Sequence, residues 1–181
     1  ALPLVISLRG SDINTYPYSS NLMLCLTRRV ISEADRVITV SHNLKSSVEE
    51  DETTMGEITV IHNGCDTDKF IYNEQARSFL RRKMGISQGS VVFIFIGHIL
   101  KKKGVFDLLE AFREVVRRQV DSYLILVGHG KGEKLLSQEV SKTRIRERIH
   151  FISTRKHEEI PGWLSMADVL VLPSYGEGLP N

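Results

Sequence analysis

The chain has 181 residues, of which 41% are apolar and 25% charged, the balance of a globular protein with one large domain or two small ones. No apolar run approaches the roughly 18 residues of a membrane span, and no dense basic patch with interleaved aromatics points to nucleic acid. The net charge of +2 hides an asymmetry: residues 1–70 sum to −4 and residues 71–181 to +6, so the second half suits a polyanionic ligand such as a nucleotide diphosphate.

In chain order, apolar β-branched runs alternate with helix-period segments. Leu4 to Leu8 reads as a strand, 21–34 as a helix, Arg36 to Val40 as a strand, Asn43 to Glu50 as a helix, and Ile58 to Ile61 as a strand. Glu74 to Met84 reads as a helix ended by Gly85, Val91 to Ile96 as a strand, and Val105 to Arg118 as an amphipathic helix striped by Leu108, Leu109, Phe112, Val115 and Val116. Strands follow at Tyr123 to Val127, Ile149 to Ile152 and Asp168 to Leu172, with helices at Glu133 to Lys142 and Ile160 to Met166. Continuous apolar strands alternating with helices predict an α/β fold with parallel sheets covered on both faces. The Asn63-Gly64 turn marks the best domain boundary. The chain opens directly into a strand without an initiating Met, and both ends read as cut, so part of a longer polypeptide is expected. Cys25 and Cys65 are far apart and lack metal-ligand spacing, which makes a reduced, cytosolic chain the simplest reading.

The last nine residues carry the strongest chemical signal. A strand, then Gly176-Glu177-Gly178, then Pro180 at a helix start would offer backbone N–H groups to an anion. Glu177 can accept hydrogen bonds from sugar hydroxyls. The competing reading is an ordinary turn with a solvated Glu.

Further segments are informative together. Ile61-His62-Asn63-Gly64-Cys65-Asp66-Thr67-Asp68-Lys69-Phe70, Gly97-His98-Ile99-Leu100-Lys101-Lys102-Lys103-Gly104, Leu126-Val127-Gly128-His129-Gly130 and Ala167 to Ser174 followed by Glu177-Gly178 stand in this order, with Ser7-Leu8-Arg9-Gly10-Ser11-Asp12 near the start. In order and spacing the chain resembles the retaining nucleotide-sugar glycosyltransferases of the large family-4 group. That resemblance implies a GT-B fold of two Rossmann-like domains, both incomplete here: 1–70 from the acceptor side and 71–181 from the donor-binding side. It implies transfer of a sugar from a nucleotide-diphosphate donor to a glycan or lipid-linked acceptor with retention, in polysaccharide synthesis. No metal or cofactor and no nucleic acid are expected. A cytoplasmic site is implied, with peripheral association of the longer enzyme at the inner face of the membrane.

The resemblance also assigns residues. Lys103 takes the place of the cation on the leaving diphosphate, and Glu177 that of the carboxylate facing the donor sugar. Its partner Glu would fall past Asn181, so the chain alone is expected to be inactive. Arg9 replaces a His at the reacting centre; a guanidinium can stabilise the departing phosphate but cannot act as a base. Gly97, His98, Gly128, Gly130, Gly178 and Leu179 complete the donor set. His98 stands where most members carry Arg. Either it protonates beside the diphosphate, or Lys101 or Lys102 covers for it, or binding is weak; a structural His is an equal alternative. Gly128 and Gly130 fit either close approach to a nucleotide or plain turn chemistry. Ser153, Thr154 and Arg155 lie where a nucleobase would meet the loop, and Asp12 reads as a helix cap. His42, His150, His157 and Trp163 read as packing or surface residues. The rival functions are an inactive nucleotide-binding remnant and a sugar-nucleotide epimerase, the latter lacking its carboxylate pattern here.

Overall fold

A computed structural model describes residues 2–50 and 56–179 of the chain. Val5–Leu8 (β1), Arg36–Thr39 (β2) and Ile58–Val60 (β3) form a parallel sheet of order β1-β2-β3. The register sets Ile6 beside Val37 and Val37 beside Ile58, so β-branched side chains that suit a pleated surface stand in rows. Three helices accompany this sheet: Ser11–Asn14 (α1), Asn21–Ser32 (α2) and His42–Glu50 (α3). Ser20 caps α2 by accepting the Met23 N–H at 3.2 Å. Leu44 and Val48 lie four residues apart on α3, hence on one face, and are buried with Val37 in one core. By contrast α2 buries Ile31 and leaves Leu22, Met23, Leu26 and Val30 exposed.

The second sheet contains Val91–Ile96 (β4), Ser122–Val127 (β5), Ile149–Ile152 (β6) and Val169–Leu170 (β7) in the order β6-β5-β4-β7, again all parallel. Its helices are Glu74–Lys83 (α4), Val105–Arg117 (α5), Glu133–Ser141 (α6) and Ile160–Met166 (α7). The two-residue period of a strand sends Leu124 and Leu126 to one face, where Leu108, Leu109 and Phe112 of α5 and Leu136 of α6 cover them. Ile125 and Val127 go to the other face, against Ile86, Trp163 and Met166. Both faces are therefore buried, which explains the uninterrupted apolar run in the sequence. Each such side chain contributes about 1.5–3 kcal/mol by leaving water.

One charged group is built into this core. Arg81, on α4, is wholly buried. Its Nε donates to Met166 O at 2.9 Å, its Nη1 to the carbonyls of Ser87, Gln88 and Ser90, and its Nη2 to Asp168 Oδ2 at 2.7 Å. Arg77, one turn earlier, binds Asp168 Oδ1 at 2.7 Å. Asp168 also accepts the Val92 N–H at 2.7 Å. Burial works to raise this carboxyl, but the bonds from Val92, Arg77 and Arg81 outweigh it and hold it below its ordinary range.

The described residues divide into two compact units. One runs up to Cys65 and takes in the terminal segment from Gly176; the other is Asp66–Tyr175. The division expected after residue 70 thus falls earlier. Lys69 and Phe70 fold back on Asp66, while Lys69 pairs with Glu158 at 3.7 Å and Phe70 packs edge-on to His157 at 5.2 Å. The terminal segment, expected with the second domain, clusters with the first because Leu179 packs on its core. The last strand is shorter than the 168–172 expected: its ladder with β4 covers Val169 and Leu170. The 3-10 turns at Pro17–Ser19, Lys101–Lys103, Arg146–Arg148 and His157–Glu159 had no signal of their own in the periodicity. Among the described residues no helix is long and apolar enough to cross a membrane.

Candidate active site

In the second unit β4 has β5 on one side and β7 on the other, so the strand order reverses at β4. Ligands of open parallel sheets bind outside the carboxyl ends of the strands at such a reversal. The loop there is 97–104, which carries three of the expected donor residues.

Backbone approach shapes this loop. Gly97 has φ 159° and donates its N–H to Val127 O at 2.9 Å, while Ile99 N–H reaches His129 O at 3.0 Å. A Cβ on Gly128, itself at φ 139°, would collide with Gly97 O, and one on Gly130 with Ile99 O. The close approach that these two glycines permit is to the neighbouring loop, the turn-chemistry side of the alternative left open above. Lys101–Lys103 forms a 3-10 turn that ends on Gly104, whose left-handed φ of 67° starts α5. A Cβ at Gly104 would strike Pro173 O, so the residue after Lys103 has to be Gly. Lys103 is half-buried two residues before α5, where the free N–H groups of a helix start and a fixed cation favour the same anion. Tyr175 holds the segment after β7 to α5 by donating to Asp107 Oδ2 at 2.5 Å.

Beside this loop lies a hollow lined by Gly97 and His98 from the β4 loop, Gly128 and His129 from the β5 loop, and Thr154 and Arg155 from the β6 loop. The rings of His98 and His129 are 5.8 Å apart, tilted by 40°. His129 Nδ1 is 2.6 Å from Thr154 Oγ1. The Arg155 guanidinium sits 5.5 Å over the Trp163 ring. Trp163 is a packing residue, as expected, and His157 an exposed partner of Phe70. His150 lies half-buried against Tyr123, its Nε2 unpartnered, and burial lowers its pKa.

The first unit gathers a different set. Arg9 Nη2 reaches Asn63 Oδ1 at 3.4 Å. The Asp12 carboxylate accepts the N–H groups of Arg9 at 2.8 Å and Gly10 at 2.6 Å. Asp12 therefore reaches back from inside the first turn of α1; the capping position itself is Gly10. Gly178 lies flush on this loop, since a Cβ there would strike Arg9 O. Glu177 is half-buried beside it, and Leu179 turns its side chain into the core. The helix start expected at Pro180 lies outside the described residues. Arg9, Glu177, Gly178 and Leu179 thus belong to one unit, and Gly97, His98, Lys103, Gly128 and Gly130 to the other.

Two features escaped the sequence reading. Arg81 was not singled out, although its four-residue spacing from Arg77 was a usable signal. His129 was passed over as the variable residue of a glycine turn; only its neighbours in space, His98 and Thr154, distinguish it.

A parallel sheet reversing at β4, with a glycine-shaped cationic loop at the reversal, defines a Rossmann-like α/β unit. Residues 76–181 match the family described as Glycosyl transferases group 1, and the chain belongs to that family. It is 30% identical over 179 residues to N-acetyl-alpha-D-glucosaminyl L-malate synthase of Bacillus anthracis, covering 97% of this chain and 45% of that protein. It is 29% identical over 151 residues to a GDP-mannose-dependent alpha-(1-6)-phosphatidylinositol monomannoside mannosyltransferase of Mycolicibacterium smegmatis, covering 83% and 39%. Among solved structures, Anabaena Alr3699/HepE in complex with UDP and glucose superposes with a TM-score of 0.78 at 24% identity, over 95% of this chain and 46% of that one. The fold is the GT-B type expected, and the chain spans less than half the length of these relatives. These matches lend no support to an epimerase.

Proposed function

We propose that the protein transfers a sugar, with retention of configuration, from a nucleotide-diphosphate sugar to a glycan or lipid-linked acceptor in polysaccharide or envelope synthesis. The observation that carries this reading is the placement of Lys103: half-buried at the reversal of strand order, beside the start of α5, in a family of glycosyltransferases. Departure of a nucleoside diphosphate builds negative charge, and a fixed cation with free backbone N–H groups stabilises it without reorganisation. Lys103 takes that role, with Gly97 and His98 beside the phosphates and Gly128 and Gly130 shaping the floor. Glu177 faces the donor sugar, Gly178 and Leu179 contribute backbone N–H groups, and Arg9 stabilises the departing phosphate from the acceptor side.

Metal-independent chemistry is part of the proposal, as is a cytoplasmic location at the membrane face, which suits the exposed free thiols of Cys25 and Cys65. In the intact protein, Lys103→Ala is expected to cut turnover of a donor found by screening UDP-, GDP- and ADP-sugars by about 10²-fold or more, with the fold retained. An unchanged rate would remove the assignment. Binding without any transfer by the unmodified protein would favour the nucleotide-binding remnant.

A further inference from the structure

His98 and His129 lie on successive loops, 97–104 and 128–132, that are zipped together by Gly97 N–H to Val127 O, Ile99 N–H to His129 O and the glycine contact between Gly128 and Gly97 O. The two imidazoles are exposed and 5.8 Å apart, over a hollow whose lining includes Arg155 and no carboxylate. His129 is aimed by Thr154, whose Oγ1 sits 2.6 Å from Nδ1. With Thr154 on Nδ1, the Nε2 side of this ring is left to face a ligand. An anion seated between two such rings would draw one proton onto each, because each imidazolium then donates to it.

We propose that His98 and His129 together form a proton-dependent clamp for the donor diphosphate, His129 being a binding residue that no single motif marks, so that donor affinity rises as pH falls. The proposal rests on the donor reading above and adds its regulation. A permanently charged Arg at both positions would make binding indifferent to pH; two histidines tie it to proton uptake.

The charged groups around the pair are consistent with this. After β4 stand Lys101, Lys102 and Lys103; after β5, Lys131 and Glu133; after β6, Arg155, Lys156, His157, Glu158 and Glu159. Glu158 is engaged by Lys69 at 3.7 Å, and Glu159 accepts the Lys156 N–H at 3.0 Å. The surroundings are thus mostly cationic and suit an anionic ligand. The bound anion favours the charged form of both rings, which is the coupling proposed.

Calorimetric titration of the intact protein with UDP-, GDP- and ADP-glucose tests it, in buffers of different ionisation enthalpy. Nucleotide sugars are the right probes because their diphosphate has no proton to lose near neutral pH, so any uptake belongs to the protein. The expected result is uptake of between one and two protons at pH 7, with affinity falling about 10²-fold from pH 6 to 8. His129→Gln should remove part of the uptake. His98→Arg combined with His129→Gln should abolish it while retaining binding, with affinity then changing less than about threefold over that range. Binding without proton uptake, or uptake unchanged in His129→Gln, overturns the clamp and leaves the donor reading standing. No binding of any of the three at pH 6 removes the donor reading and the clamp with it.

Discussion

Arg81 shows what one residue decides in this protein. A buried guanidinium is tolerable because its nitrogens meet four carbonyls and one carboxylate, which tie the end of α4 to the 87–90 turn and to the entry of β7. Removing one partner of a buried pair leaves the other uncompensated in low dielectric. Arg81→Ala should therefore cost about 3–5 kcal/mol in chemical denaturation, and Arg77→Ala clearly less, since Arg77 is nearer the surface. Equal losses would mean that burial is not the controlling term. His150 makes a second prediction, on pH. Its folded-state pKa is lowered by burial, so the neutral form is preferred in the fold. That contribution is fully present above the ordinary histidine value and is lost as pH falls through the folded one. Asp168 acts in the same direction but lower, because its depressed carboxyl contributes above its ordinary value and loses that contribution in acid. His150→Phe should flatten the decline of the denaturation midpoint between about pH 7 and 5 and leave the steeper loss at lower pH. A slope identical to the wild type in the upper range would show that His150 is not its source.

At the scale of elements, glycines position the loops that make the candidate site. Gly104 has to be left-handed to end the Lys101–Lys103 turn and start α5, and it has no room for a methyl group against Pro173 O. Strain and collision add, so Gly104→Ala should lower stability by about 2 kcal/mol or more and displace Lys103 with the turn. Asn73→Ala is the comparison, since loss of the α4 cap, which accepts the Ala76 N–H at 2.9 Å, should cost about 1 kcal/mol without touching donor binding. If both substitutions cost the same and donor affinity survives in Gly104→Ala, the loop does not depend on this glycine.

At the scale of the molecule, the two units differ in how the chain makes them. Asp66–Tyr175 is continuous and has cores on both faces of its sheet. Residues 66–175 alone should fold and unfold in one cooperative transition by circular dichroism and denaturant titration. A non-cooperative melt would show that its sheet depends on the other unit. The first unit closes only with the terminal segment, and α2 keeps four apolar side chains in water.

Much of this was legible in the residues alone. Alternating apolar strands and helix-period segments placed every main strand and all but the shortest helix, because both faces of a parallel sheet demand apolar residues and one helix face must match them. The ordered motifs placed Lys103, His98, the glycines and Glu177 on loops after strands, and the family match agrees with the resemblance they carry. Periodicity did not reveal the 3-10 turns, which are too short to have a period, nor where β7 stops, which depends on its ladder with β4. It also gave Arg81 and His129 no role. Local sequence determined the elements and the chemistry on each loop, since those depend on neighbours within a few positions. Which groups meet was decided by tertiary structure alone: Arg81 with Asp168, 87 residues apart, and His129 with Thr154, 25 apart. The sheet order that brings them together leaves no period in the chain.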